Sequence, residues 1–271
     1  MSGIARKLMG VTAAVGGWDL ANAVYSGVSF SVSSQDRVPF GLTFKPDGTK
    51  MYVVGRGTQS VFEYDLSTAW DVSSASYLQA LSVNAQDGIP SQVSFKPDGT
   101  KMYMVGLTSR SIHEYDLSSA WDVTTASALQ SFSVNSQDGS PSSLFFKPDG
   151  TKMYISGNDN DSVFEYDLSS AWDVSTASYN SISFSVAGQD PNVVGISFKR
   201  DGTKMYVVGR STDSVYEYDL STPWGVSSAS YLQSFSVNSQ EVSVVEVSFK
   251  PDGTKMYVVG VGYDTVFAYD L

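Results

Sequence analysis

The chain has 271 residues, of which 42% are hydrophobic and 17% charged, a composition typical of a folded globular protein. Its formal charge of −11 argues against nucleic acid as a partner, because such partners require a basic surface. It contains no cysteine, which excludes disulfides and thiolate metal sites, and no apolar stretch is long enough for a membrane-spanning helix.

The first residues differ in composition from the rest of the chain, and we expect residues 1–17 to form a leader separate from residues 18–271. A basic pair, a weakly apolar run and a later Ala-Asn-Ala together imitate a secretory signal peptide. Gly10 and Thr12 interrupt the apolar run, so an uncleaved anchor segment is favoured over a signal. The residues predicted to form this anchor are Ile4, Arg6, Lys7, Leu8 and Met9.

An internal repeat dominates the remainder of the sequence. The string Phe-Lys-Pro-Asp-Gly-Thr-Lys-Met-Tyr recurs at intervals of 51 or 52 residues, with Arg200 replacing proline in the fourth copy. The five copies begin at Phe44, Phe95, Phe146, Phe198 and Phe249.

Each copy contains four short segments rich in β-branched and aromatic residues, which we name strands a, b, c and d. In the second copy they are residues 91–96, 101–106, 111–117 and 128–134. The Pro-Asp-Gly between a and b is typical of a hairpin turn, because proline presets one backbone angle and glycine allows a positive φ. Four antiparallel strands in about 51 residues predict one blade of a β-propeller.

The two ends of the repeat region complement each other. The chain stops after strand c of the fifth copy, and residues 24–33 match strand d of the other copies. The sequence therefore predicts an all-β, five-bladed propeller whose ring is closed by an N-terminal strand, with the segment around Phe30 beside Val266.

Comparison of the copies separates the two faces of the predicted disk. The a–b and c–d connections are nearly identical in all copies and define the constant face, whereas the b–c and d–a connections differ and define the variable face. We expect binding on the variable face, since recognition loops on a rigid scaffold diverge, although unconstrained drift is the alternative. The predicted binding residues are Arg56, Gln59, Arg110, Asn158, Asp159, Asp161, Arg210, Asp213, Tyr263 and Asp264.

Groups suited to catalysis are few. His113 is the sole histidine and stands where other copies have an aromatic residue, which favours a packing role. Glu246 is the one carboxylate in the five a strands, whereas a glycosidase requires two at a fixed separation. We predict no catalytic residue, no cofactor and no metal.

Three repeated or clustered motifs favour structural roles. The aspartates at the ends of strand c are expected to cap turns or to bond backbone amides, and the repeated Trp-Asp-Val tryptophans are expected to pack between blades instead of stacking on sugars. The acidic run 158–161 has oxygen ligands suited to calcium but lacks the glycine and distal glutamate of an EF-hand.

The Lys-Pro-Asp-Gly-Thr-Lys-Met-Tyr-Val-Val-Gly segment with the later Val-Tyr-Glu-Tyr-Asp-Leu resembles the propeller repeats of the YVTN and WD type. This resemblance implies the fold and says little about function. The opening Met-Ser-Gly-Ile-Ala-Arg-Lys-Leu-Met resembles the leader of bacteriophage tail-fibre and other virion proteins. That similarity implies a segment that docks into a larger particle.

Three functions are therefore considered. The leading hypothesis is a non-enzymatic protein of a virion or cell surface, which joins other assembly proteins through residues 1–17 and meets a host receptor or glycan through its variable face. The first alternative is a lectin with one weak site per blade. The second alternative is a propeller hydrolase or lactonase, which would require a metal or carboxylates in the central channel.

Overall fold

A computed structural model describes residues 17–271, which form five four-stranded antiparallel sheets. The strands of the first three blades are β2 (Pro39–Phe44), β3 (Lys50–Gly55), β4 (Ser60–Leu66), β5 (Ala75–Ser82), β6 (Pro90–Phe95), β7 (Lys101–Gly106), β8 (Ser111–Leu117), β9 (Ala126–Ser133), β10 (Pro141–Phe146), β11 (Lys152–Gly157), β12 (Ser162–Leu168) and β13 (Ala177–Ser185). The fourth and fifth blades contain β14 (Val193–Phe198), β15 (Lys204–Gly209), β16 (Ser214–Leu220), β17 (Ala229–Ser236), β18 (Val244–Phe249), β19 (Lys255–Gly260), β20 (Thr265–Asp270) and β1 (Val24–Ser31).

The first strand of each blade contacts the first strands of the neighbouring blades, so these five strands surround the axis of the ring. A 3-10 helix precedes each fourth strand, at Leu20–Asn22, Val72–Ser74, Val123–Thr125, Val174–Thr176 and Val226–Ser228. The predicted five-bladed propeller with four antiparallel strands per blade is confirmed. Within residues 17–271, no helix is long and apolar enough to cross a membrane.

The ring closes at the predicted position. Strand β1 pairs antiparallel with β20, and Phe30 lies opposite Val266. The segment before β1 also joins the ring, because the amide of Trp18 donates to the carbonyl of Gly253 at 2.9 Å. The fifth blade is thus assembled from one N-terminal and three C-terminal strands.

Tryptophans of the c–d connections fix the constant face. The amide of Trp70 donates to the carbonyl of Gly48 at 3.0 Å, and the Tyr257 hydroxyl of the preceding blade donates to the Trp70 carbonyl at 2.6 Å. Gly48 has a φ of +75°, and a Cβ there would lie 2.3 Å from the indole ring. The tryptophans therefore connect blades, as predicted.

A buried glutamate in strand c latches each of the first four blades to the next. Glu114 accepts from Lys101 at 2.6 Å and from the Val174 amide of the following blade at 3.0 Å. Lys101 also pairs with Asp116, and the aspartates at the ends of strand c in the other blades pair with lysine in the same way, instead of capping turns or bonding backbone amides. The latch glutamates are Glu63, Glu114, Glu165 and Glu217, whereas Ala268 takes this position in the fifth blade.

A repeated glutamine–carboxylate pair in the d–a connections fixes the variable loops by hydrogen bonds. Asp36 is buried and accepts from the amides of Val38 at 2.6 Å and Thr58 at 2.7 Å, while Gln35 accepts from the Tyr64 hydroxyl at 3.3 Å. The equivalent carboxylates are Asp87, Asp138, Asp190 and Glu241. Each one ties a d–a loop to the b–c turn of the same blade.

Candidate functional site

Half of the binding residues predicted on the variable face occupy one repeated backbone position. This is the last residue of each b–c turn, and its φ lies between 44° and 52°. Asparagine and aspartate tolerate this left-handed conformation better than most residues, which accounts for three of the five identities. These turn residues are Gln59, Arg110, Asp161, Asp213 and Asp264.

Three further predicted residues lie closer to the axis. Arg56, Asn158 and Arg210 follow the second strand of their blades, and the two arginines bond the entrance of the first strand of the next blade. Asp159 and Tyr263 lie on the exposed surface and do not join them. The predicted anchor residues lie in residues 1–16, outside the described part of the chain, and are Ile4, Arg6, Lys7, Leu8 and Met9.

The clearest concave site lies at the axis on the constant face, opposite the predicted surface. It is a cavity of about 240 Å³, which we name the axial bowl. Its walls come from the repeated motif and comprise Phe44, Phe95, Phe146, Phe198, Phe249, Pro46, Pro97, Pro148 and Pro251, with the tryptophans Trp18, Trp70 and Trp172 and with Arg200 in place of the fourth proline. A concave, mainly apolar cavity with a few polar groups is typical of a small-molecule site.

Hydroxyl groups line the floor of the axial bowl. They come from Thr43, Ser94, Ser197 and Ser248, whereas Phe145 takes the equivalent position in the third blade. No hydrogen bond from these four hydroxyls is found within residues 17–271, so they can bind a ligand. This site was not predicted from the sequence, because its residues belong to the most constant segment of the repeat.

Glu246 lies two residues before Ser248 on β18, deeper in the channel. Only 1% of its surface is exposed. Its Oε2 lies 2.7 Å from the Ser143 hydroxyl of the third blade, and its Oε1 accepts from the Val247 amide at 2.9 Å. Burial raises the pKa of Glu246 to about 8, although both hydrogen bonds favour the charged form.

The waist of the channel is defined by the five equivalent positions at this level, Gly41, Gln92, Ser143, Gly195 and Glu246. A Cβ on Gly195 would lie 2.8 Å from Oε1 of Glu246, so the glycine leaves room for the carboxyl to reach Ser143. The Oε1 atom of Gln92 is buried without a hydrogen-bond partner among the described residues. The waist thus carries one titratable carboxyl and one free amide oxygen.

His113 stands apart from these groups. Its Nε2 lies 2.8 Å from the Ser109 hydroxyl, and burial lowers its pKa. Thr212 and Tyr216 form the same contact in the fourth blade at 2.7 Å, so the pair belongs to the repeated framework. Within residues 17–271, no three histidine, aspartate or glutamate side chains are arranged to hold a metal ion.

Residues 34–226 match the family described as lactonases with a seven-bladed β-propeller. The chain belongs to this lactonase family. The match runs from the first blade into the fourth, and this member has five blades where the description of the family gives seven. None of the curated proteins matches the sequence significantly.

Solved structures share the fold at low sequence identity. A protein from Lactobacillus plantarum is 14% identical with a TM-score of 0.52, and the alignment covers 86% of this chain and 67% of that one. A proposed 6-phosphogluconolactonase from Bacteroides fragilis is 14% identical with a TM-score of 0.51, covering 82% and 64%. A functionally unknown protein from Desulfotomaculum acetoxidans is 12% identical with a TM-score of 0.50, covering 82% and 62%. The chain thus spans about three fifths to two thirds of their lengths.

The family corrects the leading functional hypothesis. A non-enzymatic virion protein with a virion or surface location was the wrong prediction, because the matched family consists of lactonases. The hypothesis had required paired carboxylates, and Glu246 is the one carboxylate that the five first strands contain. Burial gives this one carboxyl a pKa suited to acid–base work. The similarity of the leader to virion proteins falls on residues outside the described range.

Proposed function

We propose that this chain is a hydrolase that opens lactone rings at the floor of the axial bowl, with Glu246, which lies two residues below the floor residue Ser248 on β18, as its acid–base group. The observation that carries the proposal is the buried Glu246 carboxyl, whose pKa of about 8 lies near the pH at which a general base works best. Membership of the lactonase family supports the reaction class.

The axial bowl has the chemistry to bind a cyclic ester. Its phenylalanine and tryptophan walls can pack on the apolar face of a small ring, and the floor hydroxyls of Ser94, Ser197 and Ser248 can bind ring substituents. A cavity of about 240 Å³ fits a single ring and excludes a polymer from the floor. We therefore infer a monocyclic lactone as the substrate.

The proposed reaction needs one water and one proton carrier. The ionised Glu246 takes a proton from water as the water oxygen attacks the lactone carbonyl. The tetrahedral intermediate then collapses, the ring C–O bond breaks, and the protonated Glu246 returns its proton to the leaving alkoxide. The products are a hydroxyl and a carboxylic acid, and Glu246 ends in its starting state.

The test is lactone hydrolysis by the full chain, measured by acid release and corrected for the spontaneous reaction. We expect Glu246→Gln to lower kcat at least about a hundredfold, because the general base is lost. The wild-type rate should rise as pH increases through about 8, where Glu246 ionises.

Tyr263→Phe is the matched control, since Tyr263 is exposed on the other face and should leave the rate unchanged. Failure of the wild-type protein to hydrolyse a panel of γ- and δ-lactones would overturn the proposal. A folded Glu246→Gln variant with the wild-type rate would overturn the role of Glu246.

A further inference from the structure

Two arginines at the variable-face end of the channel lack the carboxylate partners that the lysines have. All ion pairs found among residues 17–271 are made by lysines, although the chain has a formal charge of −11. Arg56 and Arg210 are half-buried and form no such pair in the described part of the chain. An unpaired, partly desolvated cation in an acidic protein requires an explanation.

Arg56 is fixed in place by neutral groups. Its guanidinium lies over the Phe40 ring, 3.1 Å from the centroid. Its Nε donates to the Pro90 carbonyl at 3.3 Å and its Nη2 to the Ser91 hydroxyl at 2.6 Å. These contacts hold the side chain across the entrance of the second blade and leave Nη1 without a partner among residues 17–271.

Arg210 reaches the entrance of a different blade. Its Nε donates to the Ser243 hydroxyl at 2.9 Å, just before β18, and neither Nη atom has a hydrogen bond within the described residues. Asn158 holds the equivalent position in the third blade, and its Oδ1 is buried without a partner in that range. Rotation of this amide by half a turn would present its NH₂ group instead.

Both guanidinium groups lie at the entrance of a first strand that borders the channel, Arg56 at β6 and Arg210 at β18. Burial, together with the positive charge of Arg210, lowers the pKa of Arg56 to about 9, so Arg56 stays charged at neutral pH. The neighbouring carboxylate is Asp87, whose oxygens accept from the loop amides of Ile89, Thr108 and Ser109. The oxygens of this carboxylate are therefore occupied by loop amides, and neither arginine forms an ion pair within residues 17–271.

We propose that Arg56 and Arg210 bind a small dianion of the phosphate class at the variable-face mouth of the channel, with Asn158 as a third ligand. The free guanidinium nitrogens match phosphate oxygens, and two fixed cations match two negative charges. This site lies at the opposite end of the channel from the axial bowl and does not depend on the proposed hydrolysis.

The test is calorimetric titration of the full chain with inorganic phosphate at low ionic strength, in the absence of any lactone. We expect Arg210→Gln to weaken phosphate binding at least about tenfold, because one of two cations is lost. Arg210→Lys should weaken phosphate binding less, since lysine keeps the positive charge but lacks the planar set of N–H donors of the guanidinium group. Asn158→Ala should also weaken it, and its side-chain oxygen has no partner whose loss would unfold the protein.

Arg110→Gln is the matched control, because Arg110 is an exposed arginine of the same face whose Nη1 donates to Asn135 at 2.9 Å. It removes the same charge and should leave phosphate binding unchanged. Equal weakening in this control would indicate non-specific attraction and overturn the site. Absence of phosphate binding to the wild-type protein at millimolar concentration would also overturn it.

Discussion

Glu246 carries its proton at neutral pH because it is buried among uncharged groups. The side chain touches the hydroxyl of Ser143 and the backbone of Val247. Burial is the largest cause of the raised pKa, and the two hydrogen bonds only partly oppose it. The folded protein therefore binds a proton that the unfolded chain releases above its ordinary glutamate pKa.

This difference predicts how stability changes with pH. The stabilisation from the folded-state proton is complete below the unfolded pKa of about 4.5 and is lost as pH rises through about 8. Glu246→Gln cannot ionise, so the stability of the wild-type protein relative to this variant should fall by about 4 kcal/mol between pH 5 and pH 9. Urea unfolding of both proteins at several pH values measures the change. A constant difference across this range would contradict the raised pKa.

Only some residues of the candidate site could be predicted from the sequence. Glu246 is visible in the sequence as the lone acid of the five a strands, because strand a lines a propeller channel. Its burial and its contact with Ser143, more than one hundred residues earlier, required the closed ring. The walls of the axial bowl were missed because residues such as Phe44 and Pro46 look like framework in every copy.

Strand c and the following blade form the unit in which polar groups connect neighbouring sheets. Glu114 on β8 is 1% exposed and bonds Lys101, Gln130 and the amide of Val174. A buried carboxylate is tolerable only when its oxygens are satisfied in this way. The hydrogen bonds of the latch therefore compensate the desolvated carboxylate and fix the orientation of the two neighbouring blades.

We predict that Glu114→Ala destabilises the protein by about 3 kcal/mol, because Lys101 and the Val174 amide lose their buried partner. Asp116→Ala is the control, since Asp116 pairs with the same lysine but its side chain is 52% exposed. Its removal should cost less than about 1 kcal/mol. Denaturant unfolding measures the stability of both variants. Equal losses of stability would show that the buried glutamate contributes no more than the exposed aspartate.

Strands were predictable and the short helices were not. Turn residues bracket each strand, and the predicted limits of the second copy differ from β6 to β9 by no more than two residues. The 3-10 helix at Val123–Thr125 is capped by Asp122, whose side chain accepts from the Thr124 amide. Three residues carry too little periodicity to reveal such a helix.

The whole molecule is a ring whose closure depends on one N-terminal strand. The contacts that close it begin at Gly17 and Trp18 and continue through β1. We propose that the leader before this point is dispensable for folding. The ring would then owe its integrity to residues 17–33 alone among the N-terminal residues.

Two truncations distinguish these segments. Removal of residues 1–16 should leave the circular dichroism spectrum and the melting temperature within a few degrees of the full chain. Removal of residues 1–33 should expose the edge of β20, lower the melting temperature strongly and promote association, because an open sheet edge pairs with other chains. Equal behaviour of the two truncations in thermal melts and size-exclusion chromatography would contradict the closure mechanism.

At this scale the fold followed from the sequence, whereas the function did not. Five copies and complementary ends were sufficient for blade number and seam, because each unit repeats the same pairing. The proposed reaction depends on Glu246, which occurs in one copy only, and a residue that is not repeated cannot be interpreted from the repeat pattern.

The pairing of β1 with β20 also sets an order of events during protein synthesis. The ribosome makes β1 before the four complete blades and β20 after them, so β1 has no partner until β20 has been synthesised. At common rates of about 5–20 residues per second, it waits on the order of tens of seconds while four complete blades emerge. During this time the unpaired β1 must not pair with other polypeptides. The alternation of serine with apolar residues in β1 keeps that strand only moderately hydrophobic.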